Sequence, residues 1–338
     1  MRKERILKLA VISFAAAAVM TAAISVQALA DEDTRVLRFG YTAVNSDVLP
    51  GLAGIALQQG YFEEELGKVG AEFEPVPFAK AGPAINQALA SSEIDVGNMG
   101  DVPAAVAKAN GADTVLIDAQ PSDYSTHLII KNDLDISEVS ELKGHTIAVQ
   151  TGSYMQRILY QILEANGLSP DDVELVNMSE VDAANAIAGG SVDAAAVSEL
   201  KGVTLEQSGS AKLLYDTEGV AEFARITSWV ARTEYAEENG DVLTAYFKAL
   251  ERAQEYVKEN PESLREIYIQ SGTSEDLIDI VYPTPEDYCT TVGATEETLN
   301  NYQSVVQFLK DYELIETEFA VSDWYDGSFY DASLTDAQ

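Results

Sequence analysis

Short apolar runs alternate along this chain with stretches whose apolar residues recur every three or four positions, a pattern that predicts strands interleaved with amphipathic helices. Val36 to Tyr41 reads as a first strand, followed by a polar loop over Thr42 to Asp47 and a small-residue helix from Pro50 to Gln59 stopped by Gly60. Ala71 to Val76 and Ile94 to Asn98 read as the next strands, with a helix over Pro83 to Leu89 between them. Val102 to Ala109 is predicted helical, ended by Asn110-Gly111, and Thr114 to Ala119 extended. After Leu142-Lys143-Gly144 the same grammar restarts, with a strand over Thr146 to Gln150 and the loop Thr151-Gly152-Ser153. Met155, Ile158, Leu159, Ile162 and Leu163 then fall on one face of a helix that Asn166-Gly167 terminates. A strand over Val173 to Val176, a helix over Asp182 to Ala188 and a strand over Val192 to Val197 complete this half.

The two halves echo each other. Ala88-Leu89-Ala90-Ser91-Ser92-Glu93-Ile94-Asp95 resembles Ala186-Ile187-Ala188-Gly189-Gly190-Ser191-Val192-Asp193, each reading as a helix end, a small-residue turn and an Asp opening a strand. The spacing is too long for a solenoid repeat and suits two lobes of similar build. Beyond residue 226 the pattern changes. Ile226 to Ala231 is a strand, and Asp241 to Glu259, Glu262 to Gln270 and Thr295 to Lys310 are helices whose apolar stripes need a lobe to pack on. The whole is α/β in class.

The first thirty residues follow a different logic. Arg2, Lys3, Arg5 and Lys8 precede an almost wholly apolar stretch from Leu9 to Val26, and Ala28-Leu29-Ala30 leads into Asp31-Glu32-Asp33. A basic start, an apolar middle and an A-x-A end form an export signal cleaved after Ala30; an uncleaved membrane anchor is the alternative. A lipid-anchor cysteine is absent near that site. The expected location is therefore the periplasm or the extracytoplasmic cell surface, with no membrane insertion of the mature chain.

The 338-residue chain carries 21 basic and 56 acidic residues, net −35, and removing the leader leaves −38. Such acidity argues against nucleic acid and against an anionic membrane surface. Cys289 alone cannot build a disulfide framework or a cysteine zinc site, and His127 and His145 on separate segments offer little for histidine-based catalysis. Each histidine reads as a hinge or surface residue. Nucleotide-binding glycine loops, the nucleophile elbow and the H-E-x-x-H pair do not occur in the mature chain. No cofactor or metal is expected, and acidic pairs carry little information among so many.

What remains is a set of small, polar loops at the carboxyl ends of predicted strands, where open α/β sheets bind ligands. Thr151-Gly152-Ser153 before a helix is the most specific: its amides, the helix dipole and two hydroxyls can hold an anion, or the same residues can simply cap the helix.

Several ordered segments resemble the aliphatic sulfonate, taurine and nitrate binding proteins of ABC importers. They are Leu37-Arg38-Phe39-Gly40-Tyr41, Gly82 to Ala88, Ser92 to Gly97, Gly100-Asp101-Val102-Pro103 and Gly111-Ala112-Asp113. Leu142 to Val149 with Thr151-Gly152-Ser153, Gly190 to Ala194 and Trp229-Val230-Ala231-Arg232 fit the same family, as does Phe308-Leu309-Lys310. The resemblance implies a bilobal type II periplasmic-binding-protein fold. Lobe I would take residues 31–122 plus 226–338 and lobe II residues 125–225, with a hinge near 123–127 and 224–228. A small anionic or zwitterionic solute would lie between the lobes, and closure would present the monomer to an ABC permease and its ATPase.

Carried to single residues, the resemblance places Thr42, Asn45, Ala79, Lys80, Gly100 and Asp101 at the cleft, faced by Thr151, Gly152, Ser153 and Tyr154, with Trp229 on the returning strand. One departure is that the strand of Val192 to Val197 runs into Ser198-Glu199-Leu200 in place of a Trp and Pro segment. A carboxylate there would repel a plain anion, so Glu199 with Asp101 is expected to hold a cationic group of the ligand. Two other readings stay open: a thiamine-pyrimidine-precursor binder of the same fold, and an enzyme on that scaffold, against which a signal peptide and a single cysteine argue.

Overall fold

The computed structural model describes residues 35–335 apart from 44–45, 80–81, 123–124, 221–222, 283, 285–287 and 289. The expected leader, Asn45, Lys80 and Cys289 lie outside the described residues.

The first part of the chain alternates as the pattern predicts: β1 (Arg35–Thr42), α1 (Gly51–Gln58), α2 (Tyr61–Gly67), β2 (Ala71–Phe78), α3 (Gly82–Ala90), β3 (Val96–Gly100), α4 (Asp101–Ala109) and β4 (Thr114–Ser122). The second part runs β5 (Thr126–Lys131), β6 (Thr146–Val149), α5 (Tyr154–Ala165), β7 (Glu174–Asn177), α6 (Glu180–Ala188), β8 (Ala194–Ser198), α7 (Glu199–Gln207) and β9 (Ala211–Asp216). The chain then returns through β10 (Arg225–Arg232) and ends in helices: α8 (Thr233–Glu238), α9 (Gly240–Glu259), α10 (Glu262–Gln270), α11 (Glu275–Val281), α12 (Glu296–Asp311), α13 (Val321–Trp324) and α14 (Ser328–Leu334).

These strands form two five-stranded sheets, β2-β1-β3-β10-β4 and β7-β6-β8-β5-β9. In each sheet the strand that has crossed from the other lobe, β10 or β5, runs antiparallel to both neighbours, while β1 pairs with β3, and β6 with β7 and β8, in parallel. The lobes are therefore two copies of one topology, and the sequence echo marks equivalent positions in them. The Arg38 amide donates to Asp95 Oδ2 at 3.1 Å, and the Thr146 amide donates to Asp193 Oδ2 at 3.0 Å. The amides of Arg232 and Lys131 donate to the carbonyls of Asp95 and Asp193, each at 3.0 Å. Their side chains then bridge back to the same aspartates, each at 2.8 Å. Each aspartate pins the start of its strand to the two strands beside it.

Helices cover both faces of both sheets. One face of the first sheet carries α1, α2, α9 and α10, with Phe39, Phe62, Phe73 and Tyr246 stacked in a row. The other face carries α3, α4, α12 and α13 around Tyr302 and Trp324. On the second sheet α5 buries Met155, Ile158, Leu159, Ile162 and Leu163, as their spacing predicts. Removing five such side chains from water is worth about 15 kcal/mol at most. The same helix also buries Gln156, Arg157 and Tyr160, because its remaining face meets the first lobe.

Four readings need correction. The strand expected over Ile94 to Asn98 starts at Val96, since Asp95 is held by Arg38 and Arg232 before the strand begins. The pattern reading holds no strand over Thr126–Lys131; β5 is central and buried on both faces, so it has no alternation to detect. Nor does it hold α7, whose buried residues are only Gly202 and Leu205. His127 is buried in β5, its Nε2 3.5 Å from Asp216, and so is not a surface residue.

Candidate functional site

A cavity of about 920 Å³ opens between the sheets. It lies at the carboxyl ends of the parallel strands in both lobes, the position where βα loops leave their polar groups unpaired by the sheet. The first lobe contributes Thr42 at the end of β1, Ala79 after β2 and Gly100 at the end of β3. The second contributes Gly152, Ser153 and Tyr154 at the start of α5, Glu180 at the start of α6 and Ser198 at the end of β8. The gap is narrow here: a Cβ built on Gly100 would sit 3.7 Å from the Tyr154 ring across it. Elsewhere the lobes touch directly, through the Tyr160 and Tyr312 rings, 5.0 Å apart, and through α11 against α7.

The floor of the cavity follows from the register of the first sheet. Trp229 of β10 faces Asn98 of β3 and Asp118 of β4, and Thr227 faces Gly100 and Gln120 in the next row. Side chains directly opposite one another share a face of the sheet, and all six residues line the cavity. Tyr246 of α9 lines the cavity as well.

Of the residues singled out from sequence, Thr42, Ala79, Gly100, Gly152, Ser153, Tyr154, Ser198 and Trp229 line this cavity together. Asp101, Thr151 and Glu199 are not among its lining residues. Asp101 is fully buried; its Oδ2 accepts from Arg157 Nη2 at 2.9 Å and from the Ile226 amide at 3.1 Å, and its Oδ1 from the Val102 amide at 2.7 Å. Glu199, half-buried, accepts from the Ser125 amide at 3.2 Å, and burial raises its pKa. The expected Asp101–Glu199 cation site is thus not assembled: one acid is neutralised by Arg157 and the other faces the crossing between lobes.

The turn before α5 also differs from its expected state. The Thr151 amide donates to Asn177 Oδ1 at 3.0 Å and the Gly152 amide to Gln156 Oε1 at 2.7 Å. The Ser153 hydroxyl donates to the Gln150 carbonyl at 2.7 Å. Gly152 sits at φ +74°, which glycine adopts without strain. Two of the amides offered to an anion are therefore already bonded.

The structure also brings in Glu180, where a strand-end loop meets α6, and two residues that pattern reading passed over, Arg225 and Asp118. Arg225, the first residue of β10, is the one Arg or Lys among the described lining residues, and its guanidinium lies 4.7 Å from the centroid of the Tyr154 ring. Burial holds the Tyr154 hydroxyl above its ordinary pKa, and Arg225 pulls it down. Glu180 accepts from the Ser198 amide at 2.7 Å and from its hydroxyl. Asp118 is almost wholly buried, and burial pushes its carboxyl up to about 6. Its signal in the sequence was an acid in the middle of the apolar run Val115-Leu116-Ile117-Asp118-Ala119. Among the described residues, no group of three or more His, Cys, Asp or Glu side chains could hold a metal ion, and no helix is long and apolar enough to cross a membrane.

The chain is 29% identical over 212 residues to the putative aliphatic sulfonates-binding protein of Escherichia coli (strain K12), covering 62% of this chain and 63% of that protein. It is 30% identical over 246 residues to the taurine-binding periplasmic protein of the same strain, covering 68% and 75%. Among solved structures, the putative periplasmic sulfonate-binding protein SsuA of Methylobacillus flagellatus KT superposes with a TM-score of 0.74 at 22% identity, over 90% of this chain and 96% of that one. The desulfurization enzyme DSZB superposes with a TM-score of 0.68 at 16% identity, over 90% and 100%. At these identities the structural likenesses establish the bilobal periplasmic-binding-protein fold and nothing finer. The family model described as NMT1/THI5 like matches residues 53–264, more than half of the chain. This chain belongs to the NMT1/THI5-like family.

Proposed function

We propose that this protein is the extracytoplasmic solute-binding subunit of an ABC importer, and that it captures a small organic anion or zwitterion, sulfonate- or taurine-like, between its lobes. The observation that carries the reading is one cavity lined by strand-end loops of both sheets, with the chain crossing twice between them. A ligand touching both lobes favours the closed arrangement by as much as its contacts there exceed those with the open one. The crossings run from the end of β4 to the start of β5 and from the end of β9 to the start of β10, and these segments serve as the hinge.

In this reading Arg225 supplies the positive charge for the anionic group, and Ser153, Tyr154, Thr42 and Ser198 surround it. No residue is assigned a catalytic role. The partners are a membrane permease and its ATPase, and the protein acts as an exported monomer.

A thermal-shift screen of sulfonates, taurine, nitrate, amino acids and pyrimidines tests the reading. A ligand at a hundred times its Kd adds about 2.7 kcal/mol of stability. A shift with sulfonates or taurine is the expected result. Flat curves across the anions with a shift for pyrimidines would replace the ligand class, and turnover of any compound would replace the binding role with an enzymatic one.

A further inference from the structure

Three aspartates of the first lobe are almost wholly buried among the described residues, and they are not alike. Asp95 is bridged by Arg38 and Arg232, each at 2.8 Å. Asp101 is bridged by Arg157 at 2.9 Å. Asp118 has no cationic partner among the described residues: its Oδ1 accepts from the Ala119 amide and Gln120 Nε2, both at 2.8 Å, and its Oδ2 accepts only a long bond, 3.4 Å, from the Gly293 amide. A buried carboxylate held by neutral donors alone is costly unless something else brings the opposite charge. Asp118 is also the one of the three that lines the cavity.

Its neighbours point to the same place. Asn98 and Trp229, in one row with Asp118 across β3, β10 and β4, line the cavity too, and Asn98 Nδ2 is buried without a hydrogen-bond partner. Trp229 Nε1 and the Tyr246 hydroxyl, also buried, are directed at each other. Buried polar atoms rarely stay unpaired in a native protein unless a ligand or ordered water completes them. Phe39, Tyr41, Trp229 and Tyr246 wall this region with aromatic rings, which favour a cation or a flat ring. The cavity is at the upper end of the size that accommodates drug-sized ligands, so a ring or chain fits between its mouth and this region.

We propose that Asp118 selects the ligand: it is the counter-charge for an ammonium or ring N–H carried at the end of the solute that enters the first lobe, with Asn98 donating to an acceptor beside that group. The anionic end of the same solute then faces Arg225 and Ser153 nearer the mouth. This rests on the cleft being the binding site, as read above, and it moves the cation-holding role from Asp101 and Glu199 to Asp118.

The test is calorimetric titration of the full-length mature chain and its Asp118→Asn variant with three probes: 4-(2-aminoethyl)benzenesulfonate, 4-ethylbenzenesulfonate and 2-phenylethylamine. The wild type is expected to bind the aminosulfonate at least tenfold tighter than the ethyl analogue, and Asp118→Asn to erase that ratio. The wild-type ratio needs no variant, so the proposal stays exposed even if Asp118→Asn does not fold. Equal wild-type affinities, a ratio that persists in the variant, or no binding of either amine would overturn it. If 2-phenylethylamine binds the wild type as tightly as the aminosulfonate and loses affinity in the variant, the role of Asp118 stands and the sulfonate reading fails.

Discussion

Arg157 of α5 and Asp101 of α4 meet at 2.9 Å with both side chains withdrawn from solvent, 2% and 0% exposed, although they belong to helices of different lobes. Arg157 also donates to the Ala224 carbonyl at 2.9 Å and to Gln161 Oε1 at 3.0 Å, so one guanidinium ties together two helices and the segment that enters β10. Arg157→Met is expected to destabilise the protein by about 3–5 kcal/mol, because it strands the Asp101 charge. The double variant Asp101→Leu/Arg157→Met is expected to lose less than the two single losses added together. Urea unfolding of the four proteins checks both; strict additivity would show that the two groups do not depend on each other.

Arg225 gives a prediction about affinity. A hydrogen bond to a charged partner contributes roughly 1.5–3 kcal/mol, so Arg225→Gln should weaken a sulfonate ligand by about ten- to a hundredfold. Titration calorimetry with the best sulfonate from the thermal screen measures it. An unchanged Kd would take Arg225 out of the site.

The pH dependence of stability carries the signature of Asp118. Its carboxyl is raised from 3.8 to about 6 in the folded state, so the folded protein binds the proton more tightly than the unfolded chain does. That preference favours folding below pH 4 and is lost as pH rises from about 4 to 6. At pH 7.5 the ligand-free protein therefore holds an unfavourable charge worth about 3 kcal/mol at most. Asp118→Asn should melt higher than the wild type at pH 7.5, with the gap closing at pH 4. A variant that melts lower at pH 7.5 would mean that the carboxylate is stabilising where it stands.

Two glycines separate packing from propensity. A Cβ on Gly202 would lie 2.3 Å from His127 Nδ1 and 2.7 Å from its Cβ, where α7 crosses β5. Overpacking of this kind costs about 1–3 kcal/mol. At Gly67, in the last turn of α2, a Cβ meets nothing within 4 Å. Gly202→Ala should lower the melting temperature and Gly67→Ala should leave it unchanged or raise it slightly. Similar losses at both positions would contradict the close approach of α7 to His127.

Much of the alternation was legible in the sequence because half-buried helices such as α5 write their inner face as a repeat of apolar residues. β5 was not legible, since a strand covered on both faces has no polar phase to contrast with, and α7 was not, since a helix that meets its sheet through Gly202 carries almost no apolar stripe. The loops that line the cavity could be placed because the carboxyl ends of parallel strands converge by topology. Side-chain partnerships could not: Asp101 and Asp118 are both acids in lobe I, and only the approach of Arg157 from the other lobe makes the first a structural pair and leaves the second without a cation among the described residues. Arg225 was hidden for the same reason, being a single basic residue at the start of a strand, whose meaning comes from Tyr154 standing beside it.

β10 begins where the chain re-enters the first lobe, and its alternate residues Arg225, Thr227 and Trp229 all look into the cavity. If the lobes close as proposed, rotation at the crossing would be transmitted along a single rod that is also the surface a solute rests on. Occupancy would then need no separate relay, since whatever presses on Trp229 would bear directly on the axle about which the halves turn.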